Sequence, residues 1–353
     1  MRTRFGNTGP VAKEGLGRRT VLGAAAACLG TAGAVRAASA QGLTKLIFSL
    51  DFIPLGRHAP WYAAIGAGYF RDEGLDVTII PAQGTAQALQ AVESGVAQLG
   101  LADVPGLVLA RAAGSRIKIV TVNYQKSPYA IFSLSPGADV TRSKQLEGLE
   151  LGSGAGSFTP KMIAGFMAEK GLDPHKLKIV NIAPPARATT LLTRRVPAIE
   201  FFVMSKPSLE AGAKTIHAKL ATFLLADHGL DLYSLGISAT DGFIAKNPDV
   251  VKRFVRAALR GWQLALHDPK KAAGYEKRFV PSLNEQVILQ EIEVVRHLAV
   301  TADTRKNGLG WFSPAKIQSN LEFVTKYIGV TGTAPKAVDL YATGFLPAKP
   351  ILP

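Results

Sequence analysis

"LDFIPLGRHAPWYAAIGAGYFRDEGLDVTII", residues 50–80, sets the fold class because one short span ends a strand, builds a helix and starts another strand. The apolar run Lys45–Leu50 before it reads as the first strand. Pro60 suits a first helical turn, and Trp61, Ile65 and Tyr69 recur at i, i+4 and i+8, so the spacing predicts a helix over His58–Tyr69. Gly74 ends that helix, and Leu75–Ile80 has strand character. A strand–helix–strand unit of this kind points to an α/β sheet that is mainly parallel.

Working outward, the same logic repeats. The pattern predicts a helix over Thr85–Glu93, a strand at Gln98–Ala102, a helix at Val104–Ala113 and a strand at Ile117–Tyr124. It breaks at Gln125-Lys126-Ser127-Pro128, and Tyr129–Leu134 opens a second block. That block continues with a helix near Ser143–Glu147, strands at Leu149–Gly152, Leu177–Val180 and Ala198–Met204, and helices at Thr159–Lys170 and Ala186–Thr193. Lys219–Leu225 and Leu232–Ile237 are apolar runs able to carry the chain back. From Pro248 the reading is all helix: Val250–Leu266, Pro269–Phe279, Asn284–Val300 and Pro314–Tyr327. Two α/β lobes, with crossings near 124–129 and 233–239 and a late helical return, are what a hinged ligand-binding protein would use.

Composition narrows the function classes. The chain of 353 residues is 47% apolar and 19% charged, enough for a sizeable core. Its net charge is +15, and residues 1–40 hold six basic residues against Glu14, so the remainder still carries +10. The basic residues are scattered, and neither an aromatic RNA-binding signature nor a Cys/His finger accompanies them, so nucleic acid is not expected as a partner. Arg18-Arg19, the apolar run 23–35 and Ala38-Ser39-Ala40 read as a twin-arginine export signal cleaved near Ala40. The run is shorter than the roughly 20 residues of a transmembrane helix. Cys28 allows a lipoprotein alternative, disfavoured because Ala25 stands where a larger aliphatic residue would precede the cysteine. Once the leader is removed no cysteine remains, which takes away disulfides and thiolate chemistry.

The 50–80 stretch also resembles the NMT1/THI5-like family, in which L-D-W/F is followed by H-A-x-x-Y-x-A and G-Y-F-x-x-E-G-L-D-V. The matching residues are Leu50-Asp51-Phe52, His58-Ala59, Tyr62, Ala64, Gly68-Tyr69-Phe70 and Glu73-Gly74-Leu75-Asp76-Val77. The resemblance continues at "AVESGVAQLGLAD" (91–103), "GSGAGS" (152–157), "NPDVVKRFVRAALRGWQLALHDPKKA" (247–272) and "DLYATGFLP" (339–347). It implies a type II periplasmic binding protein, two α/β lobes joined by a two-segment hinge, with lobe 1 at 41–125 and 238–353 and lobe 2 at 126–237. It further implies a monomeric solute-binding subunit of an ABC importer with a permease and an ATPase as partners, no cofactor, and a small heteroaromatic or aromatic-acid ligand of thiamine-pyrimidine-precursor type. The alternatives are an aliphatic sulfonate, nitrate or taurine binder, a periplasmic sensor subunit, and a pyrimidine-synthase-like enzyme. The fungal enzymes of the family consume an active-site histidine with PLP and need a cysteine-rich iron motif, which a chain with Cys28 alone does not supply.

Candidate site residues follow from both lines. Strand-to-helix corners expose unsatisfied N–H groups, so Gly84, Thr85 and the run Ser153, Gly154, Ala155, Gly156, Ser157 are natural contacts for ligand acceptors. The run lacks the Lys-Ser/Thr ending of a P-loop, which leaves nucleotide hydrolysis unsupported. His58 reads either as a polar residue at a helix start or, by the resemblance, as a ligand contact; Asp51 reads equally as a turn cap or a contact. Phe52, Trp61, Tyr62, Tyr124 and Tyr233 are candidates for an aromatic box around a flat ring, with core packing as the alternative, favoured for Trp61 by its helical spacing. Arg57, where the family differs, suits an acid; Glu200 suits an amino group; Asp103 closes the 91–103 stretch and joins the contact set. No Ser-His-Asp order, paired-carboxylate motif or H-E-x-x-H is present, so catalysis is not expected.

Overall fold

The computed structural model describes residues 42–353; the expected leader, its cleavage site and Cys28 lie outside the described residues. Ten strands follow in chain order: β1 Thr44–Ser49, β2 Leu75–Ile80, β3 Leu99–Asp103, β4 Ile117–Ile119, β5 Tyr129–Ser135, β6 Glu150–Ser153, β7 Lys178–Asn181, β8 Ala198–Phe202, β9 Lys219–Leu224 and β10 Leu235–Thr240. They form two five-stranded sheets, ordered β2-β1-β3-β10-β4 and β7-β6-β8-β5-β9. Two α/β lobes result.

The sheets are mixed rather than mainly parallel. β1 runs parallel to β2 and β3, and β6 to β7 and β8, as units with an intervening helix require. β10 is antiparallel to β3 and β4, and β5 to β8 and β9. These are the two strands delivered by the passages between lobes. No crossover helix turns them round, so they enter against the local strand direction.

The two passages are bonded to each other. Val120 donates to Ile237 O at 2.8 Å, Asn123 to Leu235 O at 2.8 Å and Ser234 to Tyr124 O at 3.1 Å. Ser127 Oγ bridges to the carbonyls of Leu230 and Leu232 at 2.8 and 3.1 Å. The β4 strand is shorter than the apolar run Ile117–Tyr124 suggests because past Ile119 the regular ladder with β10 gives way to irregular bonds, Val120 and Asn123 to β10 and Val122 to Gly310 O.

The helix expected over His58–Tyr69 is divided into a 3-10 turn Gly56–His58, a helix Ala59–Gly66 and, after Gly68, a short helix Tyr69–Asp72. Helices Pro248–His267, Pro269–Phe279 and Glu285–Ala299 cover the first lobe, and Pro314–Phe323 lies against Tyr233 through Asn320. Pro248–His267 buries Val251, Phe254, Val255, Leu259, Trp262 and Leu266, a period-3.6 stripe. Trp61 meets this stripe, its ring 5.7 Å from Trp262 and 5.0 Å from Phe48. Lys206–Thr215 and Asp241–Lys246 are further helices in stretches that hydrophobic periodicity left unassigned.

Candidate ligand cleft

Between the two sheets lies a cavity walled by both lobes. From the first lobe come Asp51, Phe52, Leu55, Arg57, Gly84, Thr85 and Asp103; from the second come Tyr129, Ser157, Phe158, Thr159, Arg187, Glu200, Phe201, Phe202 and Ser205. The rims touch. Gly84, at φ 143°, comes so close to Gly156 that a Cβ there would stand 2.3 Å from the Gly156 carbonyl oxygen. Gly84 has no room for a side chain at that point, and a Cβ on Gly156 would stand 3.3 Å from the Gln83 carbonyl oxygen.

The first-lobe wall is a saturated charge cluster just past β1. Asp51 receives Arg57 bidentately, Nη1 to Oδ1 at 3.1 Å and Nη2 to Oδ2 at 2.7 Å. Leu55 N donates to His58 Nδ1 at 3.1 Å, which fixes the tautomer: the proton is on Nε2, which donates to Asp51 Oδ1 at 3.2 Å. Burial alone would raise the Asp51 pKa, but Arg57 and His58 outweigh it and hold the carboxyl well below the usual range. Burial, then the Arg57 charge, pushes His58 down to about 4, so the imidazole is neutral. Glu291 accepts from the Arg57 backbone N–H at 3.0 Å and is pushed up to about 7 by burial.

Asp103 ends β3 where the two inter-lobe passages meet. It accepts from Tyr129 Oη at 2.7 and 2.6 Å and from Ser234 Oγ at 2.7 Å, one residue from each passage. Burial pushes its pKa to about 7 against those hydrogen bonds.

The second-lobe wall is built on β8. Glu200 Oε1 accepts from Ser153 Oγ at 2.7 Å and from Arg187 Nη1 at 2.7 Å, and the same Nη1 reaches the Glu200 carbonyl at 2.9 Å. Arg187 Nε and Nη2 have no hydrogen-bond partner. The guanidinium sits 4.8 Å from the Phe201 centroid and 5.9 Å from that of Phe52. Burial is the leading influence on both partners, raising Glu200 and lowering Arg187 against their mutual attraction. Phe52 and Phe201 meet edge-on at 6.0 Å across the cleft, and Arg57 stands 5.1 Å from the Phe202 ring.

Of the residues singled out in the sequence, Asp51, Phe52, Arg57, Gly84, Thr85, Asp103, Ser157 and Glu200 stand on the cavity wall. The others expected as contacts do not line it. His58 is fully buried behind Asp51. Tyr62 stacks on Phe279 at 5.5 Å, and Tyr124 packs on Trp262 at 5.9 Å. Tyr233 accepts from Ser313 N at 3.1 Å. Ser153 holds Glu200 from behind, Gly154 makes room for Arg187, Ala155 is exposed, and Gly156 meets the opposite rim. The 153–157 run therefore shapes the second wall and touches the cavity only through Ser157.

Leu55, Tyr129, Phe158, Thr159, Arg187, Phe201, Phe202 and Ser205 were not anticipated. Three carried a readable signal. Phe201-Phe202 follows Glu200 at the end of β8. Arg187 lies four residues before Leu191, putting a charge on the buried face of helix Pro184–Leu192.

The family model described as NMT1/THI5 like matches residues 56–272, more than half of the chain. The riboflavin-binding protein RibY of Chloroflexus aurantiacus is 25% identical, over 86% of this chain and 87% of its own. The formylaminopyrimidine-binding protein of Halalkalibacterium halodurans is 23% identical, over 81% and 85%. The 4-amino-5-hydroxymethyl-2-methylpyrimidine phosphate synthase of Candida albicans is 26% identical, over 68% and 72%. Among solved structures, the alkanesulfonate-binding protein SsuA of Xanthomonas axonopodis pv. citri bound to MOPS superposes with a TM-score of 0.64 at 16% identity, over 86% and 99%, which shows a shared periplasmic-binding-protein fold. By its matched span and its two-lobed fold, the chain belongs to the NMT1/THI5-like family.

Proposed function

We propose that this protein is the solute-binding component of an ABC importer, closing its lobes on a small heteroaromatic ligand of pyrimidine-related type. The observation that carries this is the cleft itself: four phenylalanines from both lobes face a space that also holds two Arg–carboxylate pairs. Flat apolar walls suit a ring, and a few fixed polar groups suit its edges. The relatives named for riboflavin and formylaminopyrimidine support a ring ligand, and the sulfonate-binding neighbour supports the fold alone.

The reading extends to place and partners: export through the twin-arginine leader, a monomer in the periplasm, and delivery to a permease and its ATPase. Residues 41–125 with 238–353 act as one lobe and 126–237 as the other, swinging about the paired passages. The relatives named as synthases keep an enzyme in view, but His58 spends both ring nitrogens on Leu55 and Asp51 and offers the cavity none. A binding protein uses such a cluster as it stands.

The test is a thermal-shift series with riboflavin, 4-amino-5-hydroxymethyl-2-methylpyrimidine, N-formyl-4-amino-5-aminomethyl-2-methylpyrimidine and propanesulfonate. Ligand at 100 times its Kd adds about 2.7 kcal/mol, which raises Tm by about 4 °C for a chain of this length. A ring compound is expected to give that shift. A shift with propanesulfonate alone overturns the ring assignment, and turnover of a pyrimidine precursor overturns the binding-protein reading.

A further inference from the structure

Arg187 is 1% exposed, yet two of its three nitrogens are unspent. Buried guanidinium donors without acceptors are costly, and native structures seldom tolerate them without a reason. The pattern of spending is informative. Nη1 is taken twice by Glu200, while Nε and Nη2, whose N–H groups point side by side along the same edge of the guanidinium, are both free. That parallel pair is the fork with which arginine grips two neighbouring acceptors at once.

The surroundings hold the fork in place. Phe201 and Phe52 lie against the guanidinium at 4.8 and 5.9 Å, and Glu200 anchors the far nitrogen. Gly154 leaves the space for Nη2: a Cβ there would stand 2.8 Å from it. Strand β8 contributes two of these restraints, the loop after β1 one and the turn at Gly154 one.

We propose that Arg187 is a specificity-determining residue of the cleft, whose free fork receives two adjacent acceptor atoms on the edge of an aromatic ligand. This deepens the solute-binding reading and rests on it. Two sources supply such an edge: a ring carbonyl beside a ring nitrogen, as in a flavin, or a carboxylate carried on a ring. A ring with a donor edge alone is refused, because it would leave both N–H groups buried and unpaired.

The experiment is calorimetric titration of the purified chain with riboflavin, with nicotinate, and with indole, a ring of donor edge only. Riboflavin or nicotinate is expected to bind well above indole, and which of them does so distinguishes the two sources. R187K and R187M should each lose at least about tenfold in affinity for that probe, since a hydrogen bond to a charged group contributes about 1.5–3 kcal/mol. Affinity for indole should stay within about twofold, a split that general loosening of the fold would not produce. G154A, which crowds Nη2, should weaken the same probe in the same direction. If R187M does not fold, the double variant R187M/E200Q removes the charges together and carries the same comparison. Retained affinity in R187K and R187M overturns the assignment and leaves the solute-binding reading standing. A wild-type chain that binds neither riboflavin nor nicotinate overturns the assignment too, and the thermal-shift series then decides the solute-binding reading separately.

Discussion

The cleft has two arginine–carboxylate pairs, one on each lobe, with the same residue chemistry and nearly the same burial: side chains 3% and 4% exposed for Arg57–Asp51, 1% and 2% for Arg187–Glu200. They differ in saturation. Asp51 uses both oxygens on Arg57 and takes a third bond from His58, so Arg57 commits two nitrogens of three to its acid, whereas Arg187 commits one. The pair more fully spent on itself serves chiefly to hold a wall rigid. An unsaturated pair at a cavity keeps donors that are satisfied only when something enters. Burial and charge alone would have ranked the two alike; counting free donors separates them.

The sharpest way to break this comparison is to cut each pair at its acid. D51N leaves the Arg57 guanidinium buried with a neutral, one-sided acceptor, and loss of one partner of a buried pair typically costs about 3–5 kcal/mol. A urea titration should show that loss without ligand present. E200Q keeps an oxygen for Ser153 and for Arg187 Nη1, and Arg187 lines the cavity, so the expected cost is smaller, about 2 kcal/mol. Equal costs would mean that both pairs are architectural and that the distinction between the lobes fails.

How much of this was legible in the sequence follows the same division. Periodicity placed the 50–80 unit, the break at 125–128 and the late helices, because local spacing records which face a helix or strand buries. It did not reveal that β5 and β10 run antiparallel, since strand direction there depends on the chain passing between lobes. Asp51, Arg57 and Glu200 were readable as charges at strand ends or in the following loop. Arg187 was legible only as a charge on the buried face of its helix, because its role depends on Glu200 and on the space beside Gly154, which that helix does not contain. His58 stood between a helix-start residue and, by the resemblance, a ligand contact, and Tyr124 and Tyr233 between an aromatic box and core packing; none of the three lines the cavity. Residue type says what a side chain could touch, and only the fold says what it has already touched.

Asp103 stands between the two pairs and sharpens the comparison through pH. Its pKa is pushed to about 7, so between the usual carboxylate range and pH 7 the folded chain holds a proton that the unfolded chain has released. Its contribution to stability is complete at low pH and is lost as pH rises through that window. From pH 5 to 6.5 this amounts to about 2 kcal/mol at most. Glu291, also pushed to about 7, acts in the same direction, and His58, pushed down to about 4, in the opposite one. Subtracting the urea-derived stability profile of D103N from that of the wild type isolates Asp103, and the difference should fall as pH rises. A flat difference would mean that Asp103 is ionised in its bonds to Tyr129 and Ser234 and that the junction of the two passages carries a fixed charge.

The smallest effect is expected where the sequence resemblance pointed most directly. His58 is neutral, gives Nε2–H to Asp51, accepts from Leu55 at Nδ1 and exposes nothing to the cavity. H58Q can keep one of the two bonds, so it should cost about 1 kcal/mol of stability. It should also flatten the fall in stability on acidification below the usual histidine range, since the unfolded chain then no longer gains a proton that the folded one refuses. Ligand affinity, measured by the same calorimetry, should change by less than about twofold, because Asp51 retains Arg57 on both oxygens. A tenfold loss of affinity would mean that the Asp51 cluster moves when the ligand enters. The first-lobe pair would then belong with the second as part of the surface that reads the ligand, rather than the wall behind it.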